Sequence, residues 1–159
     1  MAGKGQGSGP ARPVQAHILI IEGRYYAEVA DELAAGALAV LDANGSTHER
    51  IVVPGALEIP QALVAALDTG AEFDGVVALG CVIRGETSHY DIVVTNTNHW
   101  LMDTAHREAK PLGNAVLTVD RMDQALARAK GGAEGKGGDA ARACLRLIEI
   151  RRAFESRAA

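Results

Sequence analysis

Residues 75–83 read Gly-Val-Val-Ala-Leu-Gly-Cys-Val-Ile, and the run is apolar on both of its alternating faces. A strand with one wet face alternates apolar and polar residues, so this stretch fits a central strand of a parallel sheet covered by helices on both sides. It is far too short to be a membrane span, which needs roughly 20 apolar residues.

Outward from this run the same alternation repeats. Residues 16–22, AHILIIE, form a β-branched strand candidate ending at Gly23. Val29, Leu33, Ala37, Val40 and Leu41 then recur at helical spacing until Asn44-Gly45 stops the pattern. Residues 49–53 make a second strand, closed by Pro54-Gly55, and a helix follows with Ile59, Leu63, Ala66 and Leu67 on one side. Beyond the central run, Ser88 is the expected N-cap of a helix whose Tyr90, Val93, Val94, Thr97 and Leu101 share a face. Residues 115–119 give a fourth strand, 122–129 a short helix, and 139–154 a long final helix. The order β-α-β-α-β-α-β-α-α with short connections predicts a parallel α/β sheet. Residues 1–13, rich in Gly, Ser and Pro, read as a flexible tail, and residues 14–157 as one domain without internal repeats.

With 159 residues, 48% of them apolar, the chain can bury one core without disulfides or a structural metal. Lys and Arg number 16 against 20 Asp and Glu, and only residues 142–157 approach a basic cluster, so nucleic acid is a poor partner. The first 16 residues hold Lys4 and Arg12 without an apolar core, unlike a secretory signal. Cys81 and Cys144 read as reduced core residues of a cytoplasmic protein that does not act at a membrane. The five histidines, at 17, 48, 89, 99 and 106, lack metal-ligand spacing, and no Gly-x-Ser-x-Gly surrounds Ser46 or Ser88. Neither a metal nor a serine nucleophile is expected.

Ligands of open α/β sheets bind beyond the carboxyl ends of the strands, which directs attention to residues 22–26, 54–58, 84–89 and 118–120. Arg84-Gly85-Glu86-Thr87-Ser88-His89 lies between a buried strand and a helix. Glycine permits close approach of a ligand to the backbone, and free N–H groups at a helix start favour an anion such as phosphate. His89, in the first turn, is chemically able to take or give a proton near pH 7, or is simply a solvent-facing residue near a cap. Glu58 either accepts hydrogen bonds from a heterocycle or complements the dipole of its own helix. Of the adjacent Tyr25 and Tyr26, one stacks on a flat ligand or packs at the sheet rim, and both are not expected to face inward. Residues 130–138, KGGAEGKGG, fail as a phosphate loop: Gly137 stands where Ser or Thr is required and no strand precedes. They read as a flexible connection.

Together, VPGALEIPQ at 53–61, ALGCVIRGETSHYDIV at 78–93 and LGNAVLTVD at 112–120 resemble the 6,7-dimethyl-8-ribityllumazine synthase family, over residues 16–152. The resemblance implies a flavodoxin-like three-layer α/β/α sandwich around a four-stranded, mainly parallel sheet. It implies condensation of 5-amino-6-ribitylaminouracil with 3,4-dihydroxy-2-butanone 4-phosphate, releasing phosphate and water, without metal or organic cofactor, in riboflavin biosynthesis.

Carried over by motif, Tyr25 would stack on the pyrimidine, and Ala56, Leu57 and Glu58 would bind the ribityl chain. Backbone groups of Val82 and Ile83 would hold the pyrimidine, Gly85, Glu86 and Thr87 would cradle the phosphate, and His89 would shuttle protons. From a neighbouring subunit, Asn114 would line the pyrimidine pocket, Arg128 would pair with the phosphate and Lys136 would lie near the substrate. Leu57 and Asn114 stand where many relatives have phenylalanine. The resemblance further implies a homopentamer that can pair into decamers or close into sixty-subunit shells, with riboflavin synthase a candidate partner. A non-catalytic flavin- or lumazine-binding shell on the same fold is the alternative, and a nucleotide-binding module is disfavoured by the lack of a Gly-rich loop after the first strand.

Overall fold

The computed structural model describes residues 8–159. Four strands, β1 (His17–Gly23), β2 (Thr47–Val53), β3 (Gly75–Ile83) and β4 (Leu112–Val119), form one sheet in the order β2-β1-β3-β4, every pair parallel. The helices are α1 (Ala27–Ala43), α2 (Glu58–Asp68), α3 (His89–Arg107), α4 (Met122–Ala129) and α5 (Lys136–Ala158), with a 3-10 turn at Gly132–Glu134.

The period-2 alternation of the strands divides the core in two. Ile18, Ile20, Val77, Leu79, Ala115 and Leu117 face one side, where they meet Val29, Leu33, Ala37 and Leu41 of α1, Ala125 of α4, and Cys144, Leu145 and Ile148 of α5. Leu19, Ile21, Val76 and Ala78 face the other, against Ile59 and Leu63 of α2 and Leu101 of α3. The result is the three-layer α/β/α sandwich that the sequence predicts. Residues 75–82 are buried without a gap, as a strand covered on both faces must be.

Two expectations at element boundaries are corrected. β2 begins at Thr47, two residues earlier than the sequence suggests, because as an edge strand it carries the exposed polar run Thr47, His48, Glu49 and Arg50, which has no apolar signal. The glycine-rich stretch 130–138 is a packed crossing instead of a flexible connection, and α5 begins inside it at Lys136. A Cβ on Gly137 would lie 2.0 Å from the Leu33 carbonyl oxygen, and one on Gly138 would lie 2.1 Å from that of Ala133. These glycines are there because α1, the 3-10 turn and α5 approach with their backbones in contact.

Residues 8–13 lie against α1 and α5. The Ala11 N–H donates to Glu149 at 3.1 Å, Gly9 rests on the Arg142 side chain, and at residue 14 the Val14 N–H donates to Asn44 at 3.1 Å.

Candidate active site

The chain leaves β1 toward β2 on one side and later returns past β1 to β3 on the other, so the topological switch falls between β1 and β3. A crevice at the carboxyl ends of the strands is expected there. An open cavity of about 440 Å³ occupies that place. Its walls come from the turn after β1 (Tyr25, Tyr26), the turn after β2 (Pro54, Gly55, Ala56, Leu57, Glu58), the end of β3 and its following turn (Cys81, Val82, Ile83, Gly85, Thr87), and the first turns of α3 (His89, Tyr90, Val93). The volume lies in the range of small-molecule sites.

The turns are held together by backbone contact. A Cβ on Gly23 would lie 2.9 Å from the carbonyl carbon of Gly55, so the turns after β1 and β2 touch directly. Arg24 N–H donates to Val53 at 3.1 Å, which ties the first turn to the end of β2. Glu58 lies in the first turn of α2 and uses Oε2 to accept the Gly55 N–H at 3.1 Å, closing its own turn while it lines the cavity. Both sequence readings of this residue are thereby compatible.

The stretch 84–89 is open. Arg84 N–H donates to Val119 at 2.9 Å, and its guanidinium reaches Asp120 at 3.1 Å and stacks over the Tyr90 ring at 4.1 Å. The next four amides, of Gly85, Glu86, Thr87 and Ser88, make no hydrogen bond to another described residue. A Cβ on Gly85 would meet nothing within 4 Å, so the approach to this backbone is unobstructed. Ser88 occupies the N-cap position of α3 but does not cap it; Thr87 Oγ1 instead accepts the His89 N–H at 3.3 Å. The cap expected at Ser88 is thus displaced by one residue. The His89 imidazole faces the cavity and has no hydrogen-bond partner among the described residues.

Tyr25 and Tyr26 both border this cavity, yet, as expected of two adjacent tyrosines, only one of them packs inward on the core. The turn bends between them, and their rings meet edge to face with centroids 4.9 Å apart. Tyr25 is 74% exposed, whereas Tyr26 packs on the core. Burial pushes the Tyr26 hydroxyl pKa upward, with Cys81 and Tyr25 adding to the effect. Burial likewise pushes the Cys81 thiol to about 11, which makes it a poor nucleophile.

Of the residues singled out in the sequence, Tyr25, Ala56, Leu57, Glu58, Val82, Ile83, Gly85, Thr87 and His89 converge on this cavity, and Glu86 sits in the same turn with its side chain in solvent. Asn114, Arg128 and Lys136 do not reach it within the chain. Asn114 is five residues before the end of β4, roughly 16 Å along the strand, where it donates to Asn98 at 2.9 Å. Arg128 donates to the Gln124 carbonyl at 3.0 Å, and Lys136 lies 3.5 Å from Asp139. Sequence reading missed Tyr90 and Val93 as wall residues, although their spacing on one face of α3 is the signal that places them there. No group of His, Cys, Asp and Glu suited to a metal ion occurs among the described residues.

Fold and cavity define a single-sheet parallel α/β protein with an open cavity of small-molecule size at its topological switch point and a turn of unengaged amides beside it. Comparison with known proteins then gives the family. A family model described as 6,7-dimethyl-8-ribityllumazine synthase matches residues 15–152. A protein of that name from Azorhizobium caulinodans is 51% identical over 152 residues, covering 92% of this chain and 94% of its own. One from Methylorubrum extorquens is 51% identical over 140 residues, 86% of this chain and 81% of its own. The 6,7-dimethyl-8-ribityllumazine synthase 1 of Rhizobium meliloti is 52% identical over 139 residues, 85% and 91% respectively. The chain belongs to the 6,7-dimethyl-8-ribityllumazine synthase family. No helix among the described residues is long and apolar enough to cross a membrane.

Proposed function

We propose that this cavity is where the chain performs its family's reaction, the condensation of 5-amino-6-ribitylaminouracil with 3,4-dihydroxy-2-butanone 4-phosphate to 6,7-dimethyl-8-ribityllumazine. The observation that carries this assignment is the convergence of an exposed aromatic face, the unengaged amides of Gly85 and Thr87 and an unpartnered imidazole on one cavity of suitable volume.

In this reading Tyr25 provides the stacking face for the pyrimidine, while backbone groups of Val82 and Ile83 fix its edge. Ala56, Leu57 and Glu58 receive the ribityl chain; an acceptor such as the Glu58 carboxylate suits a polyol. The amides of Gly85, Glu86 and Thr87 at the start of α3 hold the phosphate, with the Glu86 side chain kept in solvent. The 5-amine of one substrate attacks the ketone of the other and expels water, phosphate is eliminated to leave an enol that tautomerises to a ketone, and the ribitylamino nitrogen closes the ring on that ketone with loss of a second water. Each step moves a proton, and His89, whose imidazole lines the cavity, carries it in this reading.

The substrates react with each other unaided, so the protein contributes chiefly registration and proton transfer. General acid–base assistance is worth about 10²–10⁴-fold, and the amides add stabilisation of the leaving phosphate. Arg128, Asn114 and Lys136 do not reach their own cavity, and a neighbouring copy in a ring, a pentamer in the first instance, would bring them to the open side of the next one. Arginine suits the phosphate because its planar fork binds two oxygens at once.

The test is to mix the purified protein with both substrates and follow the lumazine chromophore against the uncatalysed background. The reading requires acceleration that saturates in both substrates. A folded, assembled protein that binds the pyrimidine without accelerating the reaction would leave the non-catalytic shell reading instead.

A further inference from the structure

Glu22 is the one charged side chain among the described residues that is withdrawn completely from solvent. It stands in β1 immediately before Gly23, three residues ahead of Tyr25, and it does not line the cavity. Both of its oxygens are engaged. Arg50 of β2 binds them as a fork, Nε to Oε2 at 2.7 Å and Nη2 to Oε1 at 3.0 Å, and Arg24 adds Nη1 to Oε1 at 3.1 Å. Arg24 extends its other nitrogen to Asp31 on the first turns of α1.

One carboxylate therefore ties the end of β1 to β2 and, through Arg24, to α1, on either side of the turn that presents Tyr25. Two guanidiniums around a buried carboxylate define direction as well as distance, since each N–H must point at a lone pair. The turn is held besides by the contact of Gly23 with Gly55 and by the Arg24 N–H bond to Val53. Without the carboxylate, Arg24 would be left held by one exposed partner, Asp31, which is 71% exposed, and by its backbone bond to Val53.

We propose that Glu22 is a positioning residue for the pyrimidine substrate: it touches no substrate, and through Arg24 and Arg50 it fixes the turn that aims the Tyr25 ring into the cavity. The inference rests on the assignment of Tyr25 as the pyrimidine's stacking face. It deepens that assignment by naming what holds the face in place. A role of this kind predicts an effect confined to the pyrimidine, because the phosphate turn at 84–89 is anchored separately through Val119 and Asp120.

The test is a double-mutant cycle read by calorimetric binding of the pyrimidine substrate alone to wild type, Glu22→Gln, Tyr25→Ala and the double variant. Glu22→Gln is expected to weaken binding by about 5- to 10-fold in the wild-type background and by less than about 2-fold where Tyr25 is already alanine. The KM of the phosphate substrate is expected to stay within about 2-fold of wild type in Glu22→Gln, because its anchors are separate. If Glu22→Gln fails to fold, Asp31→Asn cuts the outer anchor of Arg24 from an exposed position and enters the same cycle, with a smaller loss in the same direction. Absence of pyrimidine binding by wild type, or indifference to Tyr25→Ala, would overturn the assignment of the cavity. A loss on Tyr25→Ala together with no loss, or an equal loss in both backgrounds, on Glu22→Gln would overturn the positioning role and leave the cavity's assignment standing.

Discussion

Gly23→Ala places one methyl group where the turns after β1 and β2 meet. The added Cβ would stand 2.9 Å from the Gly55 carbonyl carbon, 3.0 Å from its oxygen and 3.2 Å from the Ala56 nitrogen. Carbon atoms pack comfortably at about 3.5–4.0 Å, so relief needs a separation of roughly half an ångström or more. All three neighbours are backbone atoms, and none can rotate away. Overpacking of this kind costs about 1–3 kcal/mol. At about 2–4 °C per kcal/mol for a chain of this size, the melting temperature should fall by roughly 2–12 °C. The displaced turn carries Tyr25 two residues later, and the opposing one carries Ala56 to Glu58. Since a misplacement of about 1 Å can cost on the order of 10²-fold in a positioned reaction, half of that predicts a loss of about 10-fold in kcat/KM for the pyrimidine. Differential scanning calorimetry and steady-state kinetics with each substrate varied in turn measure both effects. Gly85→Ala is the control for the melting temperature, because its Cβ would meet nothing within 4 Å. An unchanged melting temperature and an unchanged pyrimidine kcat/KM in Gly23→Ala would refute the claim that backbone contact sets the spacing of the two turns.

Gly85→Ala should melt within about 1 °C of wild type yet raise the KM of the phosphate substrate several-fold, if close backbone approach is what binds the anion; equal KM values would remove the glycine's role. His89→Ala should lower kcat by about 10²-fold or more with little change in the dissociation constant of the pyrimidine, and a loss confined to binding would contradict a proton-transfer role. Burial raises the thiols of Cys81 and Cys144 from 9.0 to about 11 and about 12. With so little thiolate, native protein at pH 8 should resist a disulfide reagent that labels both residues in denaturant, and rapid native labelling would contradict the burial. Because the folded state holds these protons more tightly than the unfolded chain, the stability they confer is complete below pH 9 and is lost as pH rises through 11 to 12. Melting temperatures at pH 8 and pH 10.5 should therefore diverge less in Cys144→Ala than in wild type.

The sheet was legible in the sequence because burial leaves a direct mark on a central strand: residues 75–83 have no polar position on either face, and only a doubly covered strand tolerates that. Edge strand β2 left no such mark at Thr47 and His48, where solvent accepts any polar residue. The stretch 130–138 misled for a physical reason. Glycine frees a chain in isolation, but Gly137 and Gly138 are needed where backbones touch, and a single sequence does not distinguish the two uses.

The candidate site was legible to the extent that ligands collect where parallel strands end. The turns after β1, β2 and β3 do line one cavity; Tyr90 and Val93 share a helix face in the sequence, but which wall that face meets emerges only when the helix is folded. The Glu22 cluster was not legible at all. A lone carboxylate in the apolar run HILIIE acquires meaning only from Arg50, 28 residues later and brought alongside by the pairing of β1 with β2.

The central claim is that the cavity at the β1–β3 switch point receives the pyrimidine. A crystal structure of the protein with 5-amino-6-ribitylaminouracil decides it. The ring is expected against Tyr25 with its edge along the backbone of Val82 and Ile83, the ribityl chain toward Glu58, and an anion-sized space left between the amides of residues 85–87 and His89. A pyrimidine bound elsewhere, with Tyr25 turned into solvent and the cavity empty, would contradict it.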